Sequence, residues 1–400
     1  MKNLKEKLKK NKFILKSYFK FLDLNKKLKE KFLWFIYTKI KIKSNKIVVD
    51  SFSGNGYSDN PKYIVEEILK QNLNYDIVWI INNSIKENNI PLGIRTVKYG
   101  TSECIYELAT AKVWIDNARK MYKTKKRSGQ FYIQTWHGTY PIKKVENDTI
   151  ETLGKEYINY AKIDSKNADL FISNGKHMSD LYRKSFWYDG EILEKGCPKN
   201  DILIKKPHDV YLKVKNNFNI EQDTKILLYA PTFRNSESLE PYNLDYDNLL
   251  KVLKKKFGGN WVVLVRLHPN ISMKSKELKL KKNVYDATNY EDIQELLIAS
   301  DILITDYSST SSDYIFTGKP CFLFTTDFNE YLNERELYVD INNICFKKAN
   351  NNEELFRIIE EFDYKKYNIQ REKYMLDLGM FETGQASKYV VEWIKNKINN

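Results

Sequence analysis

Short β-branched or aromatic runs, each followed by a longer helical stretch, restrict this chain to parallel sheets joined by crossover helices. Predicted strands fall into two series. The first is Lys46–Asp50, Asp76–Ile81, Lys112–Ile115, Phe131–Thr135 and Asp169–Ser173. The second is Lys225–Ala230, Trp261–Leu267, Ile302–Thr305 and Cys321–Thr325. Helical patterns between them cover Tyr63–Gln71, Ser102–Ala109, Ile150–Ala161, Met178–Ser185, Asp247–Phe257, Ile293–Ala299 and Glu353–Glu361. The polar, Lys/Asn-rich stretch Pro207–Asp223 separates the two series, so the expected units are 45–215 and 216–400. A length of 400 residues fits two such units. No GxGxxG and no Walker loop is present, which disfavours dinucleotide dehydrogenases and P-loop NTPases. Four dispersed cysteines without a CxxC pair argue against a disulfide scaffold or a zinc site.

Charge is distributed very unevenly. Residues 1–44 hold 15 Lys against Glu6, Asp23 and Glu30, whereas the remainder holds 51 basic and 49 acidic side chains. A near-neutral body is not what a nucleic-acid binder shows. The basic head lacks Gly and Pro, and Leu4, Leu8, Leu15, Phe19 and Leu22 recur at helical spacing. Its longest apolar run, Phe32–Tyr37, is too short to span a bilayer, and no small-residue cleavage site follows it. A basic amphipathic helix with aromatics suits the surface of an anionic membrane, where each Lys contributes about 1 kcal/mol. A solvated helix packed on the body and an RNA-binding tail are the alternatives.

The polar residues that stand out follow predicted strands. Trp136-His137-Gly138-Thr139-Tyr140 comes after Phe131–Thr135, and Gly196-Cys197-Pro198-Lys199-Asn200-Asp201 forms a turn carrying a cation. Thr232-Phe233-Arg234 comes after Lys225–Ala230, where Thr232 and Arg234 are placed to hydrogen-bond a phosphate. Arg266-Leu267-His268-Pro269 ends a strand, and Arg266 and His268 alternate so as to point one way. Asp306-Tyr307-Ser308-Ser309-Thr310-Ser311-Ser312-Asp313 opens a predicted helix rich in hydroxyls, read as an anion site at a helix start. A histidine such as His137 titrates near neutrality and can take a hydroxyl proton, though a structural histidine fits the turn as well. Cations, hydroxyls and helix starts at strand ends in both halves suit a pyrophosphate substrate held without a metal. No cofactor is expected.

Taken in order, Trp136–Thr139, Gly196–Asp201, Tyr229–Arg234, Arg266–Pro269 and Asp306–Ser309 resemble the CDP-glycerol glycerophosphotransferase family of teichoic-acid primases and polymerases, over about Asn45–Asp340. Three positions depart from the family's usual pattern. Cys197 and Lys199 stand where Tyr and Arg are common, and Phe233 where Trp is common. The resemblance implies an α/β GT-B-like fold: two Rossmann-like domains with the active site in the cleft, here preceded by the basic helical segment 1–44. It implies transfer of glycerol phosphate from CDP-glycerol to a hydroxyl of a polyprenyl-linked, membrane-bound acceptor, with release of CMP, in teichoic-acid or related capsule synthesis. The expected place is the cytoplasmic face of the cell membrane, held peripherally. Carried over by motif, His137 is the general base, and Arg266 and His268 hold the donor pyrophosphate, with Leu267 between them. Ser308, Ser309 and Asp313 bind donor phosphates and glycerol. Lys199, Thr232 and Phe233 complete the nucleotide pocket, and Trp136, Gly138, Thr139, Tyr140 and Arg234 are further substrate-binding positions. Donors such as CDP-ribitol or another polyol nucleotide, a sugar-nucleotide glycosyltransferase of the same fold, and an RNA-binding protein led by its head are the competing readings. Oligomeric state stays open, a homo-oligomer included.

Overall fold

The computed structural model describes residues 24–25, 28–82, 89–120, 126–234, 243–278 and 280–399. Its first sheet has seven parallel strands. They are β1 (Lys43–Asp50), β2 (Asp76–Ile81), β3 (Arg95–Lys98), β4 (Ala111–Asp116), β5 (Phe131–Gln134), β6 (Leu170–Ser173) and β7 (Glu191–Glu194), in the order β3-β2-β1-β4-β5-β6-β7. A second sheet has six: β8 (Lys225–Tyr229), β9 (Trp261–Val265), β10 (Val284–Asp286), β11 (Ile302–Thr305), β12 (Cys321–Phe324) and β13 (Lys347–Ala349). Its order is β10-β9-β8-β11-β12-β13, again all parallel. Both sheets step outward from the middle and reverse, once between β1 and β4 and once between β8 and β11. Such reversals open a crevice at the carboxyl ends of the strands, where ligands bind in open α/β sheets.

Strand side chains alternate between faces, and each face has its own helix layer. In β1, Ile47 and Val49 join one cluster while Val48 joins the other; in β2, Ile77, Trp79 and Ile81 oppose Val78 and Ile80. The second sheet is buried in one continuous apolar cluster.

Three features differ from the sequence reading. The polar stretch 207–223, read as the boundary between the two units, carries a helix that was not expected, His208–Asn217. The pattern over Ile150–Ala161 splits into a 3-10 turn, Glu146–Thr152, and a helix, Lys155–Asn167. The last helix, Ala386–Asn399, returns to the first half: Val390, Val391, Trp393 and Ile394 pack beside β1 and β2. Its start is fixed by Asp201, whose carboxylate accepts from Ala386 N at 2.8 Å and Ser387 N at 2.9 Å.

Of the basic head, the expected helical positions Leu4, Leu8, Leu15, Phe19 and Leu22 lie outside the described residues. Residues 28–37 are helical. Trp34 and Tyr37 dock this helix on the body through edge contacts with Trp114 and Tyr106, with ring centroids at 6.2 and 5.5 Å. Among the described residues, no helix is long and apolar enough to cross a membrane.

Candidate active site

The loop after β5 is aimed by strain. Trp136 sits at φ +51°, a left-handed conformation that a non-glycine residue adopts only when its surroundings enforce it. Here Trp136 N donates to Gln134 Oε1 at 2.9 Å, and Asn60 Nδ2 and Thr135 Oγ1 donate to its carbonyl. The next residue, His137, is thereby stacked on the Trp136 indole, with ring centroids at 4.4 Å. Its Nδ1 lies 2.7 Å from the backbone carbonyl of Asn117. A carbonyl only accepts, so Nδ1 carries the proton and Nε2 keeps its lone pair. Burial, with Lys199 nearby, holds the His137 pKa down at about 4, so the ring is neutral at neutral pH.

His268 has the opposite tautomer. It caps the 3-10 turn Pro269–Glu277, its Nδ1 accepting from Asn270 N at 3.2 Å. Its proton therefore sits on Nε2, which can donate. Burial lowers this pKa to about 4 as well, aided by the positive charges of Lys143 and Arg266. The Phe233 ring lies against it, with centroids at 4.8 Å. Arg266 donates from one arm to the backbone carbonyls of Ala287 and Tyr290. Burial lowers its pKa to about 10.

The residues expected at the site divide cleanly by exposure. His137, Gly138, Phe233, Arg266, His268, Ser308 and Ser309 are part-exposed. A Cβ added to Gly138 would stand 3.9 Å from Ser309 Oγ, so these two residues face each other from opposite halves. The other set, Trp136, Thr139, Tyr140, Lys199, Thr232, Arg234, Leu267 and Asp313, is buried. Its polar members are occupied within the protein.

Four residues expected to contact phosphate, nucleotide or glycerol have partners within the protein. Lys199 Nζ donates to the His137 carbonyl at 2.7 Å and to Asp313 Oδ2 at 2.8 Å. Asp313 also accepts from Thr139 Oγ1 and Gln294 Nε2. Thr232 donates its N–H and hydroxyl to Asp306. Arg234 is held by Asp306 and Asp327 and lies over the rings of Tyr307 and Tyr331. Burial disfavours an isolated charge, so each of these groups has been paired.

The helix expected to open with the hydroxyl-rich run is short. Thr310–Tyr314 is a single five-residue turn, and its first N–H groups are used locally: Thr310 N donates to Ser308 Oγ at 3.2 Å, Ser312 N to the Ser309 carbonyl at 3.0 Å. Ser308 precedes the turn, and the Ser309 hydroxyl faces the first half.

Two contributors were not legible in the motifs. Asn117 acts through its backbone carbonyl, for which no side-chain signal exists. Lys143 lies in the loop after Tyr140-Pro141 and reaches the electrostatic neighbourhood of His268. A lysine in a loop gives no sequence signal without its spatial partners.

Residues 32–396 match the family model described as CDP-Glycerol:Poly(glycerophosphate) glycerophosphotransferase. A teichoic acid poly(glycerol phosphate) polymerase from Staphylococcus epidermidis is 36% identical over 77% of this chain and 44% of its own length. One of the same description from Bacillus spizizenii is 31% identical over 86% of this chain and 91% of its own. This chain thus spans less than half of the first relative and nearly all of the second. Structures described as the wall teichoic acid polymerase TagF, including variants with a histidine replaced, superpose with a TM-score of 0.81 at 30% identity, covering 96% of this chain and 97% of that one. The fold is accordingly the two-domain GT-B arrangement of TagF, as the resemblance implied. With the family model spanning nearly the whole chain, the protein belongs to the CDP-glycerol:poly(glycerophosphate) glycerophosphotransferase family.

Proposed function

We propose that the chain transfers glycerol phosphate from CDP-glycerol to a hydroxyl of a membrane-bound, polyprenyl-linked acceptor, releasing CMP. The observation that carries this reading is the pair of opposite histidine tautomers at the cleft. His137 Nε2 presents a lone pair, and His268 Nε2 presents a proton. The acceptor hydroxyl gives its proton to His137 as its oxygen bonds the glycerol-side phosphorus. The bond from that phosphorus to the CMP oxygen breaks, and CMP leaves with the electron pair. A phosphate leaving group is a weak base, its second pKa about 6, so it needs a hydrogen-bond donor rather than a proton. His268 and Arg266 supply such donors. Ser309 completes the set from the same half. Buried Lys199, Asp313, Thr232 and Arg234 act by positioning, since their polar groups are engaged within the protein.

Relatives with glycerol phosphate in their descriptions include those at 36% and 31% identity; one described as a teichoic acid poly(ribitol-phosphate) polymerase is 27% identical. That ordering favours glycerol as the donor alcohol. A peripheral place on the cytoplasmic face is supported by the exposed stripe Leu28, Phe32, Phe35 and Ile36 on the docked helix 28–37, set among lysines. Incubating the full chain with CDP-glycerol or CDP-ribitol and lipid-linked acceptor, and following CMP release, tests the reading. Acceptor-dependent CMP release from CDP-glycerol is expected. Turnover of a sugar nucleotide instead of either CDP-alcohol would overturn it.

A further inference from the structure

Most cations around the cleft are neutralised within the protein. Lys199 pairs with Asp313, Arg234 with Asp306 and Asp327, and Arg119 with Glu146 and Asp164. Lys143 is different. Among the described residues its ammonium has neither a carboxylate within ion-pair distance nor a hydrogen-bond acceptor.

Its backbone, by contrast, is firmly held. Lys143 pairs antiparallel with Leu337, Tyr338 N donates to the Ile142 carbonyl at 2.8 Å, and Lys144 N donates to the Glu336 carbonyl at 2.8 Å. A segment of the second half is therefore stapled to the loop that carries His137. This places a part-buried lysine of the first half in the electrostatic field of His268, Arg234, Arg335 and Asp306. Three of those four neighbours are cationic when charged. The fourth, Asp306, already accepts from Thr232, Arg234 and Tyr307 N. Burial holds the Lys143 pKa below the usual lysine value, although Asp306 nearby favours the charged form. An unpaired, partly desolvated ammonium costs folding free energy, and an anionic ligand offsets that cost.

We propose that Lys143 binds the glycerol-side phosphate of the donor diphosphate, reaching across from the His137 loop to the anion held by Arg266 and His268. This rests on the reading of the donor as a CDP-alcohol. The glycerol-side phosphate is assigned because Lys143 and His137 share one loop, and His137 serves the phosphorus under attack. A lysine suits the task as a point charge on a flexible stem, able to follow the phosphoryl group as it moves between oxygens. Donor binding then ties the two halves together through one charge.

The test is calorimetric binding of CDP-glycerol, CDP and CMP to the full chain and to Lys143→Met and Lys143→Arg. Lys143→Met should weaken CDP and CDP-glycerol about 10- to 100-fold, the scale of one charge-assisted hydrogen bond. CMP, which lacks the second phosphate, should change less than about 3-fold. Lys143→Arg should restore most of the CDP affinity. Because Lys143 has no partner inside the protein, the ligand-free Tm of Lys143→Met should not fall; a purely structural lysine would lower it. Wild-type affinity for CDP in Lys143→Met, or an equal loss for CMP and CDP, overturns the proposal. UDP and UMP are run in parallel. Wild-type binding confined to the uridine pair would refute the CDP-alcohol reading, while the diphosphate-to-monophosphate comparison on the variant still decides the role of Lys143.

Discussion

Lys199, on the turn after β7, donates to Asp313 of the second half across 2.8 Å, and the same ammonium holds the carbonyl of His137 at 2.7 Å. One side chain thus fixes both the approach of the two halves and the position of the base. The pair is buried, with both side chains at most 5% exposed, and Asp59 adds a second carboxylate at 3.7 Å. Burial works against the Lys199 charge, yet Asp313 and Asp59 more than offset it and raise its pKa.

Breaking such a pair from one side leaves a buried charge alone. Lys199→Met should therefore destabilise the fold by about 3–5 kcal/mol. Combining Lys199→Met with Asp313→Asn should recover part of that loss, because the stranded carboxylate is gone. Urea unfolding of both single variants and the double one measures it. Strictly additive losses would show that the two residues do not act as a unit.

The two histidines predict different kinetic lesions. His137→Ala removes the lone pair that takes the acceptor proton, and general-base loss typically lowers kcat about 10²–10⁴-fold. Donor affinity should persist. His268→Ala removes an Nε2–H donor and should weaken donor binding as well as rate. Calorimetric Kd and single-turnover rates separate them. Loss of donor binding in His137→Ala, beside an unaffected His268→Ala, would reverse the assigned roles.

Central strands were legible and edges were not. Asp76–Ile81 and Ile302–Thr305 match their sequence runs residue for residue, because a strand buried on both faces must be apolar throughout. The four strands absent from the sequence reading are β3, β7, β10 and β13, the outermost strands of the two sheets. Glu191–Glu194 and Lys347–Ala349 are short and carry charges, as edges do, so they give no apolar run to read. Among site residues, motif order placed His137, Arg266 and His268 at the cleft. It did not separate residues that face the cleft from those that build it. Thr232 and Arg234 look like phosphate ligands in sequence, but their carboxylate partners Asp306 and Asp327 lie 74 and 93 positions away from them. That pairing exists only after the sheet forms.

Acidity gives the third prediction. Burial holds His137 and His268 near a pKa of about 4, against about 6.5 for a free imidazole. The base is then still neutral at pH 5, where an ordinary histidine is largely protonated. kcat/KM for CDP-glycerol should stay level from pH 8 to pH 5 and fall as pH approaches about 4. Stability carries the same sign for these groups. The unfolded histidines bind protons first, so their contribution is complete above about pH 6.5 and is lost as pH falls through 4. Asp59 opposes this, since burial raises its pKa to about 6, with Lys199 pulling the other way. Rate rather than melting temperature is therefore the clean readout. A bend in kcat/KM near 6.5 would mean that His137 is solvated like a free imidazole.

The last prediction concerns the helix over residues 28–37. Trp34 and Tyr37 face the body, where Trp34 meets Trp114 and Tyr37 meets Tyr106. Leu28, Phe32, Phe35 and Ile36 face outward and are 41–63% exposed. Lys31 and Lys39 flank them, and the Lys39 ammonium lies 4.9 Å from the centre of the Phe35 ring. An apolar stripe bordered by lysines gains twice at an anionic bilayer, from burying the rings and from Coulomb attraction. Replacing Phe32 and Phe35 together by Ala should sharply reduce sedimentation with anionic vesicles while leaving the melting temperature unchanged, because neither ring packs on the body. Trp34→Ala should do the reverse at its own site, lowering the melting temperature through lost contact with Trp114. High salt should weaken vesicle binding by the intact chain, since exposed charges are screened beyond about 10 Å at 0.1 M. Equal binding to neutral and anionic vesicles, or wild-type binding by the Phe32, Phe35 double variant, would remove this face as the membrane contact.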